Sequence, residues 1–154
     1  MKLIIQIPCW NEEKTIGEVI RALPKQIPGI DTIETIVIDD GSTDRTAEQA
    51  RAAGAAEVIT FSRHRGLADA FSAGVQAAIH RGADILVNTD ADHQYPADYI
   101  PKLIEPVLKR EADIAIGDRL SWKPAPFGPV KQALERLGSV FVRMVSGTRV
   151  ADAT

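Results

Sequence analysis

The sequence predicts an α/β fold built on a doubly wound, mostly parallel sheet, and three observations carry that prediction. Short β-branched runs alternate with longer segments of helical spacing along the 154-residue chain. Glycine or proline closes the first three helical segments. The composition, 45% hydrophobic and 25% charged, is that of a globular chain with a real core. Strand and helix in strict alternation imply right-handed crossovers and a sheet covered on both faces.

The strand candidates are residues 3–7, 35–38, 58–60, 85–88 and 114–116, each too short for an ordinary helix. The first helix carries Ile16, Val19, Ile20 and Leu23 at i, i+3, i+4 and i+7, and Pro24 ends it. A second opens at Ser42 or Thr43 as N-cap, runs through DRTAEQARAA and stops at Gly54. The third spans 67–81, with Leu67, Ala70, Phe71, Gly74, Val75 and Ala78 on one stripe and Gly82 at its end. The fourth starts near Pro96 and carries Tyr99, Ile100, Leu103, Ile104, Val107 and Leu108. Pro101 and Pro106 inside it imply a kink or an early first turn. A last helix, 130–145, repeats the pattern with Leu134, Leu137, Phe141 and Met144. The loop KPAPFGP at 123–129 is the strongest discontinuity and marks a flap or a subdomain edge.

Charge and cysteine usage narrow the function classes. Eighteen Lys and Arg against 21 Asp and Glu give a net charge of −3, without the basic excess of a nucleic-acid binder. The single cysteine, Cys9, excludes an internal disulfide and a cysteine-cluster metal site, and fits a reducing, cytoplasmic setting. Cys9 reads as a small semi-buried apolar residue rather than a nucleophile. The opening apolar run is too short for a signal-peptide core, and no stretch approaches the roughly 20 residues of a membrane span.

In a sheet of this kind, ligands bind outside the carboxyl ends of the strands. The polar residues collect there: Trp10-Asn11-Glu12-Glu13, Asp39-Asp40-Gly41-Ser42, Asp90-Ala91-Asp92-His93-Gln94 and Gly117-Asp118-Arg119. Carboxylates gathered in one cleft repel one another unless a cation joins them. Asp90 and Asp92 with a nearby amide oxygen are hard ligands suited to Mg²⁺ or Mn²⁺. A plainer account makes the two aspartates loop residues capping a helix, but their place at the end of an Ile-Leu-Val-Asn strand favours a site. Ser42 reads as a cap, whereas the paired Asp39 and Asp40 are placed to accept hydrogen bonds from a base or ribose. Asn11-Glu12-Glu13 alone reads as a helix cap with acids in the first turn. Arg63 and Arg65 read as solvated loop charges. His64, His80 and His93 are too dispersed for a catalytic set.

Taken in order, IPCWNEE, VIDDGSTDRT, LVNTDADHQYP and AIGDR resemble the inverting glycosyltransferases of family 2, whose fold is the GT-A (nucleotide-diphospho-sugar transferase) type. The group most similar is the polyprenyl-phosphate sugar transferases of dolichol-phosphate mannose synthase type. The resemblance implies a nucleotide-sugar donor, GDP- or UDP-linked, touching Pro8, Trp10, Asn11 and Glu12, with Ile38 and Asp40 flanking the base. It implies that Asp90, Ala91, Asp92 and Gln94 hold ribose, diphosphate and metal. Asp90, Asp92 and Gln94 would be the ligands of Mg²⁺ or Mn²⁺, and Asp92 the catalytic residue. Arg119, with Asp118 in place of the usual serine, would face the sugar-diphosphate. The implied acceptor is a lipid phosphate such as a polyprenyl (dolichyl) phosphate, met at the cytoplasmic face of a membrane. Residues 1–154 then read as one catalytic domain that breaks off on its acceptor side, at Asp152-Ala153-Thr154.

Three other classes compete. A nucleotide-sugar-binding module without transfer activity shares every donor residue. A haloacid-dehalogenase-type phosphatase also puts an Asp-x-Asp at a strand end, but Gln94 stands where its pattern has Thr or Val. A phospho-receiver domain leaves Asn11, Glu12 and Gln94 without a task. Neither sugar, base nor oligomeric state is legible.

Overall fold

The structure is a computed structural model that describes residues 1–92 and 94–117. The chain divides into two units, Met1–Asp113 and Ile114–Thr154, and the architecture below is that of the first. Its order is β1 (Lys2–Cys9), α1 (Ile16–Ala22), β2 (Thr32–Asp39), α2 (Thr46–Ala52), β3 (Glu57–Thr60), α3 (Leu67–His80), β4 (Ile85–Asn88), a 3₁₀ turn (Ala97–Tyr99) and α4 (Ile100–Leu108). The strands form one sheet in the order β3-β2-β1-β4, and every pairing is parallel.

β1 is interior, and Leu3, Ile4, Ile5 and Ile7 are all fully buried. A parallel strand covered on both faces needs a continuous apolar run rather than an alternating one. The two faces feed two cores. Leu3, Ile5 and Ile7 pack with Ile16, Val19 and Ile20 of α1 and with Ile100 and Ile104 of α4. Ile4, Ile36 and Ile38 pack beneath α3 against Ala70 and Ala78. Each buried isoleucine contributes about 1.5–3 kcal/mol. Pro101 sits in the first turn of α4, as an early first turn requires, whereas Pro106 lies inside the helix.

Three expectations need correction. Helix α2 starts at Thr46 with neither Ser42 nor Thr43 as its cap. The Asp44 carboxylate accepts the Thr46 N–H at 2.9 Å, while the Ser42 hydroxyl is used elsewhere. The sheet-facing stripe of α3 is narrower than predicted: Ala70, Gly74 and Ala78 are buried, but Leu67 and Phe71 are 69% and 44% exposed. Small side chains let the helix lie against the sheet, and larger ones turn outward. Residues 114–117 form no strand, and Ile114 and Ile116 are 79% and 88% exposed. A β-branched run becomes a strand only where a neighbour takes its backbone hydrogen bonds. The expected loop 123–129 and helix 130–145 lie outside the described residues.

An ion network closes the amino-terminal edge of the sheet. Lys2 Nζ lies 2.7 Å from Glu34, and Arg81, just past α3, reaches Glu34 at 2.6 Å and Glu57 at 3.1 Å. The Lys2 hydrogen bond, joined by that of Arg81 and opposed by burial, holds the Glu34 carboxyl below the ordinary glutamate range. Among the described residues, no helix is long and apolar enough to cross a membrane.

Candidate functional site

After β3 the chain crosses back over the sheet through α3 and enters β4 on the far side of β1, so the winding reverses between β1 and β4. Loops leaving adjacent strands part company at such a reversal, and a crevice opens at their carboxyl ends. A cavity of about 330 Å³ lies there. Pro8, Trp10, Glu12, Asp40, Asp90, Ala91 and Asp92 line it, which brings together seven of the residues expected to bind a nucleotide-sugar.

The β1–α1 loop is stitched to the β2–α2 loop. Asn11 has a left-handed backbone, φ 56°, which asparagine tolerates better than most residues. Its N–H donates to Ser42 Oγ at 2.8 Å and its Oδ1 accepts the Thr43 N–H at 2.8 Å. The Glu12 N–H donates to Thr46 Oγ1 at 2.8 Å. The Arg45 N–H donates to Glu13 Oε2 at 3.1 Å, and the Glu13 N–H to Asp44 Oδ2 at 3.2 Å. Asn11 therefore ties two loops together instead of capping α1.

Asp39 and Asp40 are both buried, and both carboxylates are engaged within the protein. Asp39 Oδ1 accepts the Ser42 N–H at 3.0 Å. Asp40 accepts the N–H groups of Arg65 at 2.7 Å and Gly66 at 2.8 Å, and its Oδ2 lies 2.9 Å from His64 Nδ1. Asp40 thus organises the loop that enters α3. Gly41 lets that loop approach: its φ is +72°, and a Cβ there would stand 2.4 Å from the Arg63 carbonyl carbon and 2.5 Å from His64 N.

His64, Leu67 and Ala70 also line the cavity, and sequence reasoning missed them. The His64 ring stacks on Trp10 with centroids 4.4 Å apart. The local sequence signal was Gly66 opening a helix just after a strand. Arg65 is spent on Asp69 at 2.9 Å and over the Phe61 ring at 4.8 Å, as a solvated loop charge would be. Ile38 is a correction: it is fully buried beneath α3, so its side chain cannot flank a bound base. Cys9 is buried and its Sγ faces the Ile38 carbonyl at 3.6 Å. Burial pushes its thiol well up, with Asp39 and other acids adding to the effect, which leaves it inert. Arg119, Asp118, His93 and Asp152 lie outside the described residues.

Four acidic residues and one histidine line the cavity, Glu12, Asp40, Asp90, Asp92 and His64, with the Asp40 carboxylate already engaged by the Arg65 and Gly66 N–H groups and by His64. An anionic ligand would be repelled there without a bridging cation. No cluster of three or more His, Cys, Asp or Glu in metal-binding array occurs among the described residues. Asp90 and Asp92 are hard oxygen donors, of the kind that Mg²⁺ or Mn²⁺ takes alongside water and phosphate oxygens. Gln94, the third expected ligand, is hydrogen-bonded to Asp92. Its Nε2 donates to Asp92 Oδ2 at 2.5 Å and its N–H to Asp92 Oδ1 at 3.0 Å, so it orients Asp92.

Residues 4–146 match the family described as Glycosyl transferase family 2. The chain is 37% identical to a dolichol-phosphate mannosyltransferase of Pyrococcus furiosus, over 99% of this chain and 43% of that one. It is 30% identical to an undecaprenyl-phosphate mannosyltransferase of Micrococcus luteus, over 100% of this chain and 64% of that one. Both relatives are thus longer, and the chain spans less than two thirds of each. Among solved structures, glucosyl-3-phosphoglycerate synthase from Mycobacterium tuberculosis, in complex with Mn²⁺, UDP-glucose and phosphoglyceric acid, superposes with a TM-score of 0.57. It is 29% identical, over 71% of this chain and 40% of that chain.

Proposed function

The chain belongs to glycosyl transferase family 2, and from that premise we propose that it moves a sugar from a GDP- or UDP-sugar to a polyprenyl phosphate, with inversion and with Mg²⁺ or Mn²⁺. The observation that carries the reading is the convergence of Pro8, Trp10, Glu12, Asp40, Asp90 and Asp92 on one cavity at the winding reversal. The names of the Pyrococcus and Micrococcus relatives supply the acceptor class.

In this mechanism the acceptor phosphate oxygen bonds to the anomeric carbon as the bond from that carbon to the nucleoside diphosphate breaks on the opposite face. The acceptor oxygen is already ionised at neutral pH, so positioning, and not a strong general base, is the main task. Asp90 and Asp92 would hold the divalent ion, with Gln94 fixing Asp92. When bound, that ion supplies positive charge for the departing diphosphate. Trp10, stacked on His64, and Pro8 and Glu12 form the nucleoside wall, while Asp40 keeps the wall's far loop in place. Arg119 would face the sugar-diphosphate. The protein meets its acceptor as a peripheral visitor at the cytoplasmic face of a membrane.

A second reading is a donor-binding module without turnover, since the residues that line the cavity would serve binding alone equally well. The test is calorimetric binding of GDP- and UDP-sugars with and without Mn²⁺, followed by transfer of labelled sugar to a polyprenyl phosphate. Mn²⁺-dependent binding with transfer is the expected result. Tight binding without turnover selects the module, and phosphatase activity with no nucleotide affinity refutes both. Asp92→Ala is expected to abolish the Mn²⁺-dependent component, and unchanged binding would remove Asp92 from the metal site.

A further inference from the structure

Among the described residues, Gln6 Oε1 is a buried side-chain polar atom with no hydrogen-bond partner. Gln6 is fully buried in mid-β1, on the face beneath α3, where Ile4 occupies the equivalent place one pleat earlier. A second aliphatic residue would fill that space without stranding an oxygen. The fold also makes room for the amide. A Cβ on Gly74, in the middle of α3, would lie 2.1 Å from Gln6 Oε1 and 2.8 Å from Ile38 Cδ1. The structure thus carries two unfavourable features, a glycine inside a helix and an unpaired buried oxygen, to keep one glutamine.

What that glutamine does is visible at its other end. Gln6 Nε2 donates to Asn88 Oδ1 at 2.9 Å, and Asn88 is its register partner and the last residue of β4. The Gln6 carbonyl accepts the Thr89 N–H at 3.1 Å. Main chain and side chain of one residue therefore hold the two positions that lead directly into Asp90-Ala91-Asp92.

We infer that Gln6 is a positioning residue: acting through Asn88, it sets the exit angle of β4 and with it the aim of Asp90 and Asp92 into the cavity. The inference rests on the donor-site reading above. Groups behind the ligands of a metal site commonly govern affinity by about 10–100-fold. A role in folding alone predicts something different, because leucine in place of Gln6 removes the stranded oxygen and Asn88 is exposed and can be solvated.

The test compares the full chain with Gln6→Leu, Asn88→Ala and the double variant. Mn²⁺ is titrated calorimetrically in the presence of whichever of GDP and UDP the parent binds. Each single variant is expected to weaken the Mn²⁺-dependent component about tenfold, and the double no further. The melting temperature of Gln6→Leu should hold or rise. Hydrogen exchange on the ligand-free protein reads the same device independently: amides 89–92 should exchange faster in Gln6→Leu and in Asn88→Ala, with those of β2 unchanged. If Gln6→Leu does not fold, Asn88→Ala carries the test. Unchanged exchange at 89–92, unchanged Mn²⁺ affinity where nucleotide binds, or additive losses in the double variant would each overturn the inference. Faster exchange at 89–92 in the variants, together with a parent that binds no nucleotide with Mn²⁺, would sink the transferase reading and leave the link from Gln6 to the acidic loop standing.

Discussion

Replacing Gly41 by alanine should damage both the fold and the cleft, and the size of the effect can be worked out. Gly41 has φ +72°, where a side chain costs about 1–2 kcal/mol. Its new Cβ would also stand 2.4 Å from the Arg63 carbonyl carbon and 2.8 Å from the Arg63 carbonyl oxygen. Those are backbone atoms, which cannot rotate aside, so a further overpacking cost of about 1–3 kcal/mol applies. Gly29→Ala is the matched control: its φ is +85°, but nothing lies within 4 Å of the added atom. Both changes alter the unfolded chain in the same way, so that contribution cancels. The gap between the two variants should then be about 1–3 kcal/mol, or roughly 3–10 °C in melting temperature. Calorimetry measures it directly. Nucleotide binding should weaken in Gly41→Ala alone, because the displaced Arg63–His64 backbone carries the loop that Asp40 holds. Equal melting temperatures for the two variants, or intact nucleotide binding in Gly41→Ala, would refute the close-approach argument.

Asp40→Asn should cost about 1–3 kcal/mol, since the N–H groups of Arg65 and Gly66 bond to different carboxylate oxygens and an amide offers only one; urea unfolding measures it, and a neutral result would show that the loop does not need the second acceptor. Cys9 should resist alkylation in the folded protein at pH 8, because burial disfavours its thiolate; labelling at the rate of the denatured chain would contradict its buried placement. Acid should destabilise the fold through Asp44 and Glu34. Burial of Asp44 works against ionisation, but hydrogen bonds from Thr46 and the Glu13 backbone outweigh it and hold the carboxyl low, as Lys2 chiefly does for Glu34. A carboxyl lowered in the folded state stabilises above its unfolded value and loses that contribution as pH falls through the folded one. The urea midpoint should therefore stay level down to about pH 5 and fall below about pH 4, with a shallower fall in Asp44→Asn; identical curves for parent and variant would count against it.

Much of this was legible because parallel sheets make simple demands on sequence. The run from Leu3 to Ile7 marks an interior strand whatever surrounds it, and acids after such strands must lie on one edge. Asp90, Asp92 and Glu12 could be placed by that rule alone. His64 could not, because its neighbours Trp10 and Asp40 come from two other loops and only the folded sheet brings the three together. Ile38 shows the converse: the family resemblance implied a ligand contact, but α3 covers that face of β2 and the side chain is packed beneath it. Residues 114–116 have a strand's composition, yet backbone pairing decides a strand and composition does not. Ser42 was read as serving its own helix, when its hydroxyl receives the Asn11 N–H.

The network of Lys2, Glu34, Arg81 and Glu57 has an electrical consequence. It sits where β1 begins, and the carboxylates of the cavity sit where β1 ends, eight residues along, a span of roughly 23 Å at the usual rise. Charges on the surface fade over about 8 Å at physiological ionic strength. The two ends of the sheet are therefore insulated from each other by nearly three such lengths. Charge at Glu57 or Lys2 can change over generations, or by design, and tune how firmly the domain holds together while the field that greets a nucleotide stays the same.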